Sequence, residues 1–344
     1  MKNIVICFDG TGDEVRATGN TNVVQTFRRL CHDGDRQLTY YNPGVGTFSA
    51  AGAWTPLAQR ISRLMGNAFG AGMRANMEEA YQFLINHWVP GDRLFIFGFS
   101  RGAYCARALT GMLHLIGVMR PGADNLVRYA VSNYARTNPR WAEQDWHQAR
   151  QFAAIMSQDV AGRHSVPVTF LGLWDTVKAP GILRRSMDWP FTRELPNVLA
   201  GRHAVSIDEK RRPFREYLVE PNQSAIEEVW FAGVHSDVGG GFLDKPCLSD
   251  IPLRWIVDGA TGAGLLLGDN LPLPALAIDD ATATIHRMGW YWILLSYRRR
   301  PVPANALIHA SVAERMVKQP GYGRRLPRDS WADPGWLTDG PANP

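Results

Sequence analysis

A chain of 344 residues with 45% hydrophobic and 20% charged residues can bury one large core, and its composition excludes a fibrous or wholly disordered protein. A net charge of +5 leans weakly towards anionic surfaces without selecting one, and no nucleic-acid partner is expected. The four cysteines (Cys7, Cys31, Cys105, Cys247) show neither paired nor CxxC spacing, so reduced thiols are expected rather than disulfides or a metal site.

The first element is an apolar run over residues 3–9 that closes on Asp9-Gly10-Thr11-Gly12. It is far too short for the apolar core of a signal peptide and reads as a buried strand feeding a tight turn. The longest apolar stretch elsewhere, Trp290 to Leu295, falls short of the about 20 residues that span a bilayer. The expectation is a soluble product made in the cytoplasm, with any export by a route that cleaves no signal. Asn20-Thr21-Asn22 offers caps for a short helix through Val24, Phe27 and Leu30, and Leu38 to Tyr41 reads as a second strand. Residues 72–88 place Met73, Met77, Ala80, Tyr81 and Leu84 at helical spacing.

Pro90-Gly91-Asp92 ends that helix, and Arg93 to Phe99 follows, apolar on both faces as a central parallel strand must be. After Ser100 the residues turn small (Ala103, Cys105, Ala106, Ala108), which lets a helix lie close on a sheet. Residues 123–158 carry aromatics and charges at helical spacing and read as a helical insertion, a candidate lid. Val166 to Trp174 is a strand ending at Asp175, Val229 to Val234 another ending at His235-Ser236-Asp237, and a helix follows from Ser249 to about Gly262. Beyond residue 318 the chain is Pro- and Gly-rich without periodicity. The reading is a catalytic domain over 1–318 and an extended tail over 319–344. Strands alternating with helices predict an α/β fold, a mostly parallel central sheet flanked by helices.

Gly98-Phe99-Ser100-Arg101-Gly102 matches G-x-S-x-G where a buried strand gives way to a helix of small residues, the setting of a nucleophile elbow in the α/β-hydrolase fold. Gly98 and Gly102 are the residues that such a sharp turn needs, and Ser100 would stand at a helix N-terminus with the Arg101 amide aimed at an oxyanion. A serine nucleophile needs a base, and the base an orienting carboxylate. In this fold they follow in the order Ser, acid, His. Asp175 and His235 meet that order at strand ends. Asp237 competes with Asp175 as the acid, but it lies too close to His235 in sequence to orient it easily and is expected to hold the loop. His203 and His309 are candidates for supporting groups. A second oxyanion donor is expected from Gly10 or Thr11, with Asp9 organising their turn. This chemistry needs no metal and no organic cofactor.

The same strings resemble the family of α/β-hydrolase domains that includes the lipase effectors of type VI secretion systems. Phe8-Asp-Gly-Thr-Gly12, Phe97-Gly-Phe-Ser-Arg-Gly-Ala103, Gly172-Leu-Trp-Asp-Thr-Val177, His203-Ala-Val-Ser-Ile-Asp-Glu209 and Trp230-Phe-Ala-Gly-Val-His-Ser-Asp-Val-Gly-Gly240 carry the resemblance. It implies Ser100, Asp175 and His235 as a triad, phospholipid esters as substrate, and type VI secretion as a route of export. Two other readings stand beside it: an inactive scaffold on a hydrolase fold, and an esterase of small soluble esters. A dehalogenase-type phosphatase would need an Asp nucleophile where Cys7 stands, and Gly44-Val45-Gly46 lacks the third glycine of a dinucleotide loop. Trp290 to Tyr297, followed by Arg298-Arg299-Arg300, is either a strip resting on an anionic membrane surface or a buried strand with a basic end.

Overall fold

A computed structural model describes residues 1–10, 15–44, 68–136, 143–178, 188–221, 225–244, 246–287, 298–328 and 330–337. Its centre is one sheet of strands β1 (Asn3–Phe8), β2 (Gln37–Asn42), β3 (Arg93–Phe99), β4 (Phe170–Trp174), β5 (Gly201–Ser206), β6 (Ile226–Phe231), β7 (Leu307–His309) and β8 (Trp331–Ala332). They lie in the order β2-β1-β3-β4-β5-β6-β7-β8, and every neighbouring pair is parallel. The helices that matter for the site are, in chain order, α1 (Asn22–Phe27), α2 (Ala68–His87), α3 (Ser100–Leu115), α4 (Val127–Arg136), α5 (Glu143–Met156), α6 (His235–Gly239) and α7 (Cys247–Gly262).

Strand periodicity sorts the core into two layers. Along β1, Ile4, Ile6 and Phe8 face one side with Leu94 and Ile96 of β3, and there meet Met77 and Tyr81 of α2, Ala106 and Leu109 of α3, and Val131 and Tyr134 of α4. Val5 and Cys7 face the other side with Phe95, Phe97 and Phe99, against Val23 of α1 and Ile251, Leu253 and Ile256 of α7. Each such side chain, fully buried, contributes about 1.5–3 kcal/mol. The segment read as a helical insertion supplies α4 and α5, and the inner face of α4 joins the core beside α2 and α3.

Three strands escaped the sequence reading. β5 carries Arg202 and His203 among its six residues, and β7 has only three, so neither shows an apolar run. β8 lies within the segment expected to be an extended tail, with Ala332 and Trp336 buried, so the sheet draws its last strand from beyond residue 318. Flanking Pro and Gly hide a strand of two residues. The strand expected to end at Val234 stops at Phe231, and a turn with Gly233 at φ +114° leads into α6.

This order places the site. β1 continues to β2 on one flank, while β3 and all later strands build on the other, so the chain reverses direction across the sheet between β1 and β3. In open parallel sheets the crevice beyond the C-terminal ends of such strands is where ligands bind. β3 ends there, one residue before Ser100. The first turn of α3 presses on the end of β1 so closely that a Cβ on Gly102 would lie 2.3 Å from the Phe8 carbonyl oxygen and 2.4 Å from that of Asp9. Gly102→Ala is therefore expected to destabilise the fold by about 1–3 kcal/mol, read as a lower urea midpoint at unchanged slope.

Candidate active site

Ser100 opens α3 with φ +58°, a left-handed conformation that costs a non-glycine residue of order 1–3 kcal/mol. Gly98 makes that turn available, since a Cβ there would meet the Ala103 Cα at 2.6 Å. The turn lifts the Ser100 hydroxyl out of the strand, and its Oγ lies 2.8 Å from Nε2 of His235. On the far side of the ring, Nδ1 of His235 donates to Oδ2 of Asp175 at 2.5 Å. The three come from the ends of β3, β4 and β6, are 4%, 0% and 3% exposed in chain order, and form one unbroken chain of hydrogen bonds.

The shell around this chain fixes its tautomers. Asp175, itself at φ +39°, receives a hydrogen bond from the Ser206 amide at the end of β5 and a two-pronged ion pair from Arg300, 2.5 Å to Oδ1 and 2.9 Å to Oδ2. Burial alone would raise this carboxyl's pKa; the Arg300 charge and the His235 hydrogen bond outweigh it and hold the acid well below the usual carboxylate range. The carboxylate therefore stays ionised, accepts from Nδ1–H, and leaves Nε2 as the basic nitrogen facing Ser100. Burial lowers the His235 pKa, against the pull of Asp175 that raises it, so the free base persists to more acidic pH than in free histidine. The His235 ring is held by Phe99 and Phe214, with centroids 4.6 Å and 4.9 Å away, and its backbone N–H donates to Glu209 at 3.2 Å.

Asp237 does not touch the His235 ring. Its Oδ2 accepts from the Val234 amide at 2.9 Å, and its Oδ1 pairs with Nδ1 of His286, which also reaches Asp244. His286 is a residue that sequence reasoning passed over, because it lies in a loop with no motif around it. His203 sits behind Asp175: its Nε2 accepts from the Thr176 amide at 3.2 Å while Nδ1 bonds Glu228 at 2.8 Å, which steadies the turn after β4. His309 bonds Ser311 instead, at 2.8 Å, away from this chain.

At the end of β1, Asp9 is buried and accepts from Thr21, Tyr41 and its neighbour's amide, Gly10 N–H, at 2.7–2.8 Å. Burial pushes its pKa up to about 6 in spite of these bonds. The Gly10 amide is thus directed at the Asp9 carboxylate rather than at a substrate oxygen, and Thr11 lies outside the described residues. The Arg101 amide belongs to the first turn of α3, where no intrahelical carbonyl is in reach. Of the segment read as either a membrane strip or a buried strand with a basic end, Arg300 is buried against Asp175, with a further bond to the Phe214 carbonyl, whereas Trp290 to Tyr297 lies outside the described residues. Among the described residues no group of three or more His, Cys, Asp and Glu is placed to hold a metal ion, and no helix is long and apolar enough to cross a membrane.

A parallel sheet flanked by helices, with a serine at the turn after its central strand, is the α/β-hydrolase type of architecture. Within that class, residues 2–259 match the family model described as the type VI secretion system phospholipase effector Tle1-like catalytic domain, and the chain belongs to that family. The uncharacterized protein YEL023C of Saccharomyces cerevisiae is 32% identical over 230 residues, which cover 64% of this chain and 33% of the yeast protein. The chain thus spans about a third of that curated relative. Among solved structures, an uncharacterized protein from Pseudomonas aeruginosa aligns at 20% identity and TM-score 0.44 over 77% of this chain and 46% of the other. The Tle1 effector bound to the VgrG spike of the type VI secretion system aligns at 14% identity and TM-score 0.48, over 79% and 76% respectively.

Proposed function

We propose that this chain is a serine esterase that cleaves carboxylic ester bonds of phospholipids through an acyl-enzyme. The observation that carries the reading is the 2.8 Å approach of His235 Nε2 to the hydroxyl of a serine held in a left-handed turn at a helix N-terminus. Membership in a phospholipase effector family supports the choice of lipid esters over small soluble ones, and the same membership supports export by type VI secretion.

In this mechanism His235 takes the Ser100 proton as Oγ attacks the ester carbonyl, and the imidazolium that forms is stabilised by Asp175. The negative oxygen of the tetrahedral intermediate accepts from the Arg101 amide, aided by the positive end of α3. Collapse expels the alcohol, which takes its proton from His235. Water, deprotonated by the same nitrogen, then attacks the acyl-serine and releases the fatty acid, restoring Ser100.

The test is covalent labelling by a fluorophosphonate, together with fatty-acid release from phospholipid vesicles. Wild-type protein is expected to be labelled and to release fatty acid, and Ser100→Ala to do neither. A wild-type protein that takes no label would favour an inactive scaffold, while one that takes label and cleaves only short soluble esters would sink the lipid assignment.

A further inference from the structure

Two adjoining cavities of about 590 and 140 Å³ share the wall Arg298 to Pro301 and form one groove. Arg298, Arg299, Arg324 and Arg325 line the larger cavity, and Arg212 and Arg215 join Arg298 and Arg299 around the smaller. Counting the lining side chains together with Asp175, which Arg300 grips, nine cations face four carboxylates, a surplus of five that equals the net +5 of the whole chain. The molecule's positive charge is therefore concentrated here, and the remainder is close to neutral. Arg298, Arg299, Arg324 and Arg325 are exposed, and among the described residues no carboxylate pairs with them.

The groove is built rather than incidental. The Arg298 amide donates to the Lys210 carbonyl at 2.8 Å, tying that arginine-bearing segment to the turn after β5. The other is tied to the same turn by Tyr322, whose hydroxyl donates to Asp208 at 2.7 Å. Like charges are thus held together by contacts that do not neutralise them, an arrangement unfavourable in the free protein and relieved by an anion. The turn after β5 lies at the sheet edge that carries Ser100. The inner wall is made of Arg300, which grips Asp175, and of Glu209, which takes the His235 amide.

We propose that this groove docks the protein onto an anionic phospholipid surface, phosphate headgroups entering between the paired arginines and bringing the rim with Ser100 against the bilayer. The proposal deepens the phospholipid-esterase reading and rests on it for the choice of a lipid over other polyanions. Arginine suits phosphate because its planar fork meets two oxygens at once. Basic residues near an anionic leaflet each strengthen attachment by roughly fivefold, and the attraction decays within a Debye length of about 10 Å at 0.1 M salt.

The experiment is co-sedimentation of the Ser100→Ala protein, which leaves lipid intact, with vesicles of phosphatidylcholine alone or mixed with phosphatidylglycerol. Binding is expected to the mixed vesicles only, and to weaken as salt is raised. Arg298→Gln/Arg299→Gln and Arg324→Gln/Arg325→Gln, on two separate segments of the lining, should each weaken it roughly 25- to 30-fold. Fluorophosphonate labelling of the same pairs made with Ser100 intact reports their folding; a pair that loses label is replaced by the single Arg299→Gln or Arg325→Gln, at roughly fivefold each. Unchanged affinity in the folded variants, or equal binding to both vesicle types, overturns the proposal. Tighter binding to a single-stranded RNA than to mixed vesicles at equal salt overturns it in favour of a nucleic-acid groove. Vesicle binding without fluorophosphonate labelling of wild type would leave the groove standing and remove the esterase.

Discussion

Asp175→Asn is expected to lower kcat about 10⁴-fold, while Asp237→Asn leaves it within about tenfold. The difference follows from which atoms each carboxylate faces. Oδ1 of Asp175 receives both Arg300 and the Ser206 amide, two donors that an asparagine can satisfy only with its carbonyl oxygen. Its amide nitrogen then takes the place of Oδ2 and points N–H at His235 Nδ1. That forces the opposite tautomer, with the proton on Nε2, and the ring can no longer accept from Ser100. Asp237 bonds the Val234 amide and His286 instead, so its loss loosens a loop without turning the base. The measurement is kcat with a chromogenic ester on both variants. Equal losses would mean that the acid had been assigned wrongly.

The sequence left those two acids in competition, and its limits have a physical pattern. Ser100 was legible because strand, elbow and small-residue helix are local, each spelled out within a few residues of the next: Phe95 to Phe99 buried on both faces, Gly98 and Gly102 at closest approach, Ala103 and Ala106 against the sheet. Asp175 and His235 were legible as strand ends, although the second strand stops three residues earlier than its apolar run. The supports of Asp175 were not. Arg300 is separated from it by 125 positions and reads, beside Arg298 and Arg299, as one more surface charge. Only the tertiary fold turns the third arginine inward and leaves the other two outside. β5, which supplies the Ser206 amide, carries Arg202 and His203 in a stretch too polar to announce a strand, because its buried histidine is satisfied by Thr176 and Glu228. Polar residues buried among distant partners are what one-dimensional periodicity cannot see.

Arg300→Met is expected to cost about 3–5 kcal/mol of stability, a large share of the roughly 5–15 kcal/mol that holds a typical domain together. Methionine fills the space yet leaves Asp175 buried with only His235 and one amide to offset its charge. The sign with pH follows from the same pair. The folded-state pKa of Asp175 is depressed, so its stabilising contribution is present above the unfolded value of about 3.9 and is lost as pH falls through the folded one. Without Arg300, burial dominates and the folded pKa rises above the unfolded one, so protonation of Asp175 relieves the uncompensated charge and the variant's deficit shrinks as pH falls. Urea denaturation at several pH values should show the gap between wild type and variant widest near neutral pH and narrowing in acid; a gap that does not change with pH would mean that the Asp175 charge is not what Arg300 offsets. Catalysis supplies a readout that a purely structural role would not move. The acid limb of kcat/KM in wild type should fall below pH 6.5, because burial lowers the His235 pKa from that ordinary value. With the neighbouring cation gone, Asp175 raises it again, and the limb should shift upward. Arg300→Lys keeps the charge and loses the two-pronged grip, so its limb should stay near that of wild type while kcat falls; a limb displaced as far as in Arg300→Met would show that geometry, rather than charge, is what Arg300 supplies to the base.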